Sequence, residues 1–176
     1  MGLEIERRFL VADKGWRKRA GKGARIRQGY IAIGDAASVR VRIKGKSKAT
    51  LTIKSRTSEL RRWEFEYGIP CKDATGLLAL CLGLIIEKVR YRVRHRNLTW
   101  EIDVFEGRNA GLVIAEVELR HEKQSLQLPE WVGREITSDD RYSNTSLAVR
   151  PYCSWSKTPM SRKKAGRTSA SPTNPR

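Results

Sequence analysis

Cysteine and histidine are scarce in this chain: three of the first and two of the second in 176 residues. Cys71, Cys81 and Cys153 are odd in number and without paired spacing, which argues against a disulfide framework and a thiolate zinc site and fits a reducing cytoplasm. His95 and His121 lie far apart at the ends of strand-like segments, so they are given no metal role and are expected at the surface. A long apolar run is also lacking. The most apolar stretch, GLLALCLGLII over 76–86, is too short and too broken by glycine to cross a bilayer, and the chain opens on a strand pattern instead of a leader, so a soluble protein is expected. Acid is the last shortage, with 19 Asp and Glu against 36 Lys and Arg and a net charge of +17. Beyond Tyr152, CSWSKTPMSRKKAGRTSASPTNPR holds six of the basic residues, no acid and no apolar period, and 153–176 reads as a disordered basic tail, the one part suited to nucleic acid. The body, 1–152, keeps 30 basic residues against 19 acidic ones and reads as one domain with an anionic ligand.

What is present is alternation. EIERRFL (4–10), RIRQGYIAI (25–33), SVRVRIK (38–44), ATLTIK (49–54), LRRWEFEYGI (60–69), EKVRYRVRH (87–95), LTWEIDVF (98–105) and LVIAEVELR (112–120) each repeat with period two, between turn-rich pieces such as KGKSK and EGRNAG. Helical pieces are expected near 13–20, over 73–82 with Asp73 as cap and Gly83 as stop, and in a polar region over 129–148. Short connections favour antiparallel neighbours, and the order is not the strand and helix alternation of a parallel sheet.

Charge is sorted by sign along these strands. Acids recur at i and i+2 as Glu4 and Glu6, Glu64 and Glu66, Glu101 and Asp103, and Glu116 and Glu118; cations recur as Arg40, Arg42 and Lys44, then Lys88, Arg90, Arg92 and Arg94. Like charges so placed repel, so a merely solvated sheet has no reason for them. The opposite faces carry Ile5, Phe9, Val41, Ile43, Leu51, Trp63, Val93, Trp100, Ile102 and Val117, which need burial. The expected fold is α+β: an eight-stranded antiparallel closed β-barrel with a charged interior and a few flanking helices on its apolar outside. Such an interior is costly unless ligands neutralise it; a divalent metal suits the carboxylate pairs and phosphate oxygens suit the Arg and Lys sets.

EIERRFLV resembles the ExExK opening of the CYTH superfamily, the triphosphate tunnel metalloenzymes. RQGY, VRVR, LTIK, EFEY, IEKVRYRV, WEIDVF, GLVIAEVEL and DRYSNTSLAVRPY follow in the family's order from Gly2 to Tyr152. The resemblance implies an eight-stranded tunnel binding a triphosphate with Mg²⁺ or Mn²⁺. It makes Glu4, Glu6, Glu116 and Glu118 metal ligands, with Glu64 and Glu66 for a second ion or for orienting water. Arg8, Arg40, Arg42, Lys54, Lys88 and Arg90 become triphosphate clamps, and Asp103 a support that orients ligands or a basic side chain. Tyr30 is implied to act with Lys88 on the attacking water or the leaving oxygen. Lys44, Arg62, Arg92 and Arg94 are left to tune the mouths or to sit in water. One departure stands out: Arg8 occupies the place of the usual lysine, so charge is kept while the ability to shed a proton is lost.

The expected activity is metal-dependent hydrolysis of a small triphosphate, by analogy inorganic tripolyphosphate, in the cytoplasm and away from membranes. A class IV adenylate cyclase and a thiamine or nucleoside triphosphatase are the alternatives on the same fold. A non-catalytic polyphosphate or nucleic-acid binding module is the alternative of another class, and it leaves the carboxylate pairs unexplained.

Overall fold

The computed structural model describes residues 2–55 and 61–155; of Gly2, Leu3, Arg61 and Arg62 only the backbone is described, so the reading of Arg62 and of the tail from 156 onward lies outside the described residues. One antiparallel sheet dominates: β1 (Gly2–Val11), β2 (Ala24–Ile33), β3 (Ala37–Lys44), β4 (Lys48–Ser55), β5 (Arg61–Gly68), β6 (Leu82–His95), β7 (Leu98–Phe105), β8 (Val113–Glu118) and β9 (Val132–Glu135). Among the described residues the α-helices are few, α1 (Cys71–Ala79) and α2 (Asn144–Val149), and short 3-10 turns occur elsewhere along the chain.

The sheet corrects the expectation of a regular closed eight-stranded barrel. It has nine strands in the order β5-β4-β3-β2-β6-β7-β8-β1-β9. Both of its end strands lie against β1, β5 along Gly2–Ile5 and β9 at Phe9 and Val11. β9 falls in the stretch 129–148 expected to be helical. Only four residues long, it is too short to show a period; α2 and a 3-10 turn at Asp140–Tyr142 are the helical parts of that stretch.

A second correction concerns the apolar run 76–86. α1 begins at Cys71 after Pro70, two residues before Asp73, and ends at Ala79; from Leu82 the chain is already β6. Gly83 is therefore no helix stop. It sits in β6 at φ +68, where a Cβ would come within 2.6 Å of the Ala148 carbonyl oxygen, so only glycine lets the end of α2 seat on this strand.

Two apolar clusters cover the outside of the sheet, and a third fills one end of its charged face, where Phe105 stands opposite Lys88 and Ile114 opposite Asp103. Phe9, Trp16, Trp100, Ile102 and Trp131 form the first, with Trp16 supplied by the 3-10 turn Gly15–Arg19 and Trp131 by the segment before β9. α1 lays Ala74 and Leu78 on Val41 and Ala49. α2 brings Leu147 and Ala148 to Ile86, Phe105 and Ile114. Trp63, expected to be buried, is 41% exposed on β5. Trp155, read as part of the tail, packs edge-on against Tyr142 and Tyr152 with ring centroids 5.0 Å away, so ordered packing runs three residues past the expected boundary. His95 is half-buried and His121 exposed. Among the described residues no helix is long and apolar enough to cross a membrane.

Candidate active site

The strand faces that sort charge by sign meet in one cavity of about 690 Å³. Glu4, Glu6 and Arg8 reach it from β1, Arg40 and Arg42 from β3, Lys54 from β4, Glu64 and Glu66 from β5, Arg90 from β6, and Glu116 and Glu118 from β8. Period two explains the arrangement on these strands, whose charged residues face inward while their neighbours in sequence face outward; β2 instead turns Gln28 and Tyr30 inward and leaves Arg25 and Arg27 in solvent. Tyr30, Lys44 and Arg92 also line it. Lys88 and Asp103 are not among the lining residues; both are fully buried in the wall.

That wall holds a dense ionic lattice. Arg90 on β6 faces Asp103 on β7, donating to its two oxygens at 2.6 Å each, and also binds Glu116 at 2.5 Å and Glu101. Lys88 Nζ donates to Asp103 Oδ2 at 2.5 Å and to Asn144 Oδ1 at 3.1 Å, and lies 5.1 Å from the Phe105 ring centre. Burial alone would raise the Asp103 carboxyl, but Arg90 and Lys88 hold it far below the usual range. Burial pulls the Lys88 ammonium down to about 8 against the attraction of Asp103. Lys88 is thus directed at Asp103 and Asn144, and the expected partnership with Tyr30 is not made.

Elsewhere the charges are less well matched. Lys54 Nζ donates to Glu4 Oε2 at 2.6 Å and lies 3.1 Å from Glu64 Oε2; Arg40 reaches Glu64 at 3.2 Å. Burial and a hydrogen bond with Glu64 raise the Glu4 carboxyl; for Glu64 that bond, with Lys54 and Arg40, outweighs burial and lowers it. Among the described residues Arg42 donates only to Gln28 Oε1, at 3.0 Å, and burial with the charges of Arg40 and Arg90 brings it down to about 10, still charged at neutral pH. Glu6 stands opposite Glu118 across β1 and β8, and enclosure with the nearby Glu116 charge pushes it up to about 7. Arg8, its Nε 3.9 Å from Glu6, spends an Nη2 hydrogen on the Thr137 carbonyl oxygen at 2.9 Å. Burial raises the Tyr30 phenol above its ordinary value.

These features define an unmet demand of both signs. Among the described residues Arg42 has no anionic partner and Glu118 no ion pair, and Glu6, Glu116 and Glu118 crowd negative charge although Arg90 holds Glu116. Among those residues no three acids are yet drawn together as a finished metal cage. Their hard oxygens are nevertheless the donor type that Mg²⁺ and Mn²⁺ take. Residues 2–152 match the CYTH domain. The chain belongs to the CYTH family. It is 44% identical over 153 residues to an inorganic triphosphatase of Acetivibrio thermocellus, covering 86% of this chain and 97% of that protein. An inorganic triphosphatase of Nitrosomonas europaea is 35% identical over 150 residues, 83% of this chain and 97% of the relative. The crystal structure of an inorganic triphosphatase superposes with a TM-score of 0.62 at 34% identity, over 85% of this chain and 96% of the other. Triphosphatases of the family depend in general on a divalent metal.

Sequence reasoning missed part of the wall. Ser143, Asn144 and Thr145 at the start of α2, Ser38 and Thr99 line the cavity, and Gln28 and Thr52 hold Arg42 and Arg40 from behind. Neutral polar residues carry no charge pattern, so period alone does not single them out. Glu101 was visible as an acid of the inward face but had no assigned partner; it binds Arg90.

Proposed function

We propose that this protein hydrolyses inorganic tripolyphosphate to pyrophosphate and phosphate inside the charged cavity, acting as a tunnel in the cytoplasm with Mg²⁺ or Mn²⁺. The observation that carries this reading is the imbalance in one chamber: among the described residues Arg42 has no anionic partner, and three carboxylates, Glu6, Glu116 and Glu118, crowd together with Glu118 in no ion pair. A bare polyphosphate bound with a dication answers both. Among the described residues that line the cavity only Tyr30 is aromatic and none is aliphatic, so these offer no shelf for an adenine or thiazole ring; this favours an inorganic chain over ATP or thiamine triphosphate. A nucleic-acid or polyphosphate binding module would use the cations but leave the acids unexplained.

Glu6, Glu116 and Glu118 would hold the metal, which when bound neutralises phosphoryl charge and activates water. Glu4 and Glu64 are engaged with Lys54 and, with Glu66, are the candidates for a second ion or for orienting water. Arg40, Arg42, Lys54 and Arg90 grip phosphate oxygens as fixed positive charge that needs no rearrangement as the reaction proceeds. Arg8 adds charge without exchanging a proton. Tyr30, kept protonated by its raised pKa, serves as a hydrogen-bond donor to the leaving oxygen and not as a base. Lys88 holds Asp103 in place from behind. The new bond runs from water oxygen to the terminal phosphorus; the bridging P–O bond breaks and its electron pair leaves with pyrophosphate, while one proton of the water stays on the orthophosphate and the other passes to solvent.

Phosphate release from tripolyphosphate, ATP and thiamine triphosphate, each in EDTA and with added Mg²⁺ or Mn²⁺, tests the reading. Metal-dependent release that is fastest from tripolyphosphate is expected. Cyclic nucleotide formed from ATP with no release from tripolyphosphate would overturn it.

A further inference from the structure

Asn144 belongs to two environments. Its Oδ1 accepts from the buried Lys88 ammonium at 3.1 Å, while the residue itself is part of the cavity lining. A lysine ammonium has donors and no acceptor, so the carboxamide can turn only its oxygen to Lys88; the NH₂ must then face away from it. That NH₂ makes no hydrogen bond among the described residues. The neighbouring hydroxyl is differently employed, since Ser143 Oγ caps α2 by accepting from the Ser146 backbone N–H at 3.1 Å and also meets Thr145 Oγ1 at 2.9 Å. The close seat of Ala148 on Gly83 fixes the other end of α2. Asn144 is therefore held at both ends of its helix, and its oxygen is held by a lysine that Asp103 in turn holds.

We infer that Asn144 is a substrate-binding residue: its side-chain NH₂, aimed into the cavity by Lys88, donates a hydrogen bond to a phosphate oxygen of the bound polyphosphate. This rests on the tripolyphosphate reading above. It gives the SNTS segment a function that no charge pattern announces, and it gives Lys88 a role that does not require it to reach the ligand itself.

Asparagine and aspartate have the same shape, and an aspartate at 144 still accepts from Lys88 but cannot donate. Asn144→Asp and Asn144→Ala are compared with the parent for KM and kcat on tripolyphosphate with Mg²⁺, for melting temperature, and for the rise in melting temperature that tripolyphosphate produces. Both variants are expected to raise KM, Ala by roughly 10- to 100-fold as for one hydrogen bond to a charged group and Asp by more, with a smaller ligand-induced rise in melting temperature. Without ligand, Asp should melt close to the parent and Ala below it; should Ala not fold, Asp alone carries the test. Parental KM in Asp with loss only in Ala would overturn the inference, because the amide would then serve Lys88 alone. Parental KM in both variants would overturn it as well. A parent that neither hydrolyses tripolyphosphate nor is heat-stabilised by it overturns the functional reading, and the inference with it.

Discussion

The two ends of one ionic system differ in a telling way. Around Asp103 every buried charge has a partner of opposite sign, with Lys88 and Arg90 on its oxygens and Glu116 and Glu101 on the far side of Arg90. Between β1 and β8 acid meets acid, Glu6 opposite Glu118 and close enough to Glu116 to be pushed up to about 7. The first arrangement is complete without a ligand and belongs to the scaffold. The second costs stability as it stands and is relieved only by something from outside, which is the mark of a site.

Substitutions should separate the two. Asp103→Asn leaves Lys88 buried without its counter-charge and Arg90 with only Glu116 and Glu101, and denaturant unfolding should show a loss of about 3–5 kcal/mol, with activity falling as well. A loss below about 1 kcal/mol would mean that this end is not structural after all. Glu6→Gln should do the reverse: stability unchanged or slightly raised, and kcat for tripolyphosphate reduced by more than the roughly 10- to 100-fold that loss of a supporting group costs. Unchanged turnover in Glu6→Gln would remove this residue from the metal site.

A subtler distinction is in pH. The Glu6 carboxyl titrates near 4.5 when unfolded and at about 7 when folded, so the folded protein binds the extra proton between those values. Its contribution is fully present below 4.5 and is lost as pH rises through about 7. Asp103 has the opposite sign, and its contribution disappears only as pH falls through the acid range below its ordinary value. Melting temperature from pH 4.5 to 8 should therefore decline more in the parent than in Glu6→Gln, and added Mg²⁺ should flatten the parent's decline. Identical curves would mean that Glu6 is not perturbed.

How much of this was readable in advance depended on signal length. Eight strands announced themselves through six or more alternating residues, and charge made most of their inward faces legible; β2 is the exception, with Arg25 and Arg27 in solvent and Gln28 and Tyr30 facing in. β9 has only Val132–Glu135 and no period to detect. Leu82–Ile86 is apolar on both faces because α1 and α2 flank that part of β6, and continuous apolarity does not distinguish strand from helix. Lys88 carried the inward parity but is withdrawn by its bond to Asp103, a choice between partners that spacing does not encode. Asn144 was invisible for the complementary reason: its importance lies in what it touches, and its sequence neighbours Ser143 and Thr145 look like any polar turn.

β1 has a temporal consequence. It is synthesised before all its partners, yet β8 and β9, which flank it, begin only at Val113 and Val132. β5 is available to Gly2–Ile5 once residue 68 is made, but the Glu6–Val11 half stays an unpaired edge through most of translation, of the kind that recruits other chains. Glu4, Glu6, Arg7 and Arg8, the residues that later surround the ligand or brace β9, keep the waiting segment in water and discourage pairing with a second copy of itself. The charges that make the finished chamber reactive would thus also serve as gatekeepers against aggregation while the chain is still being made.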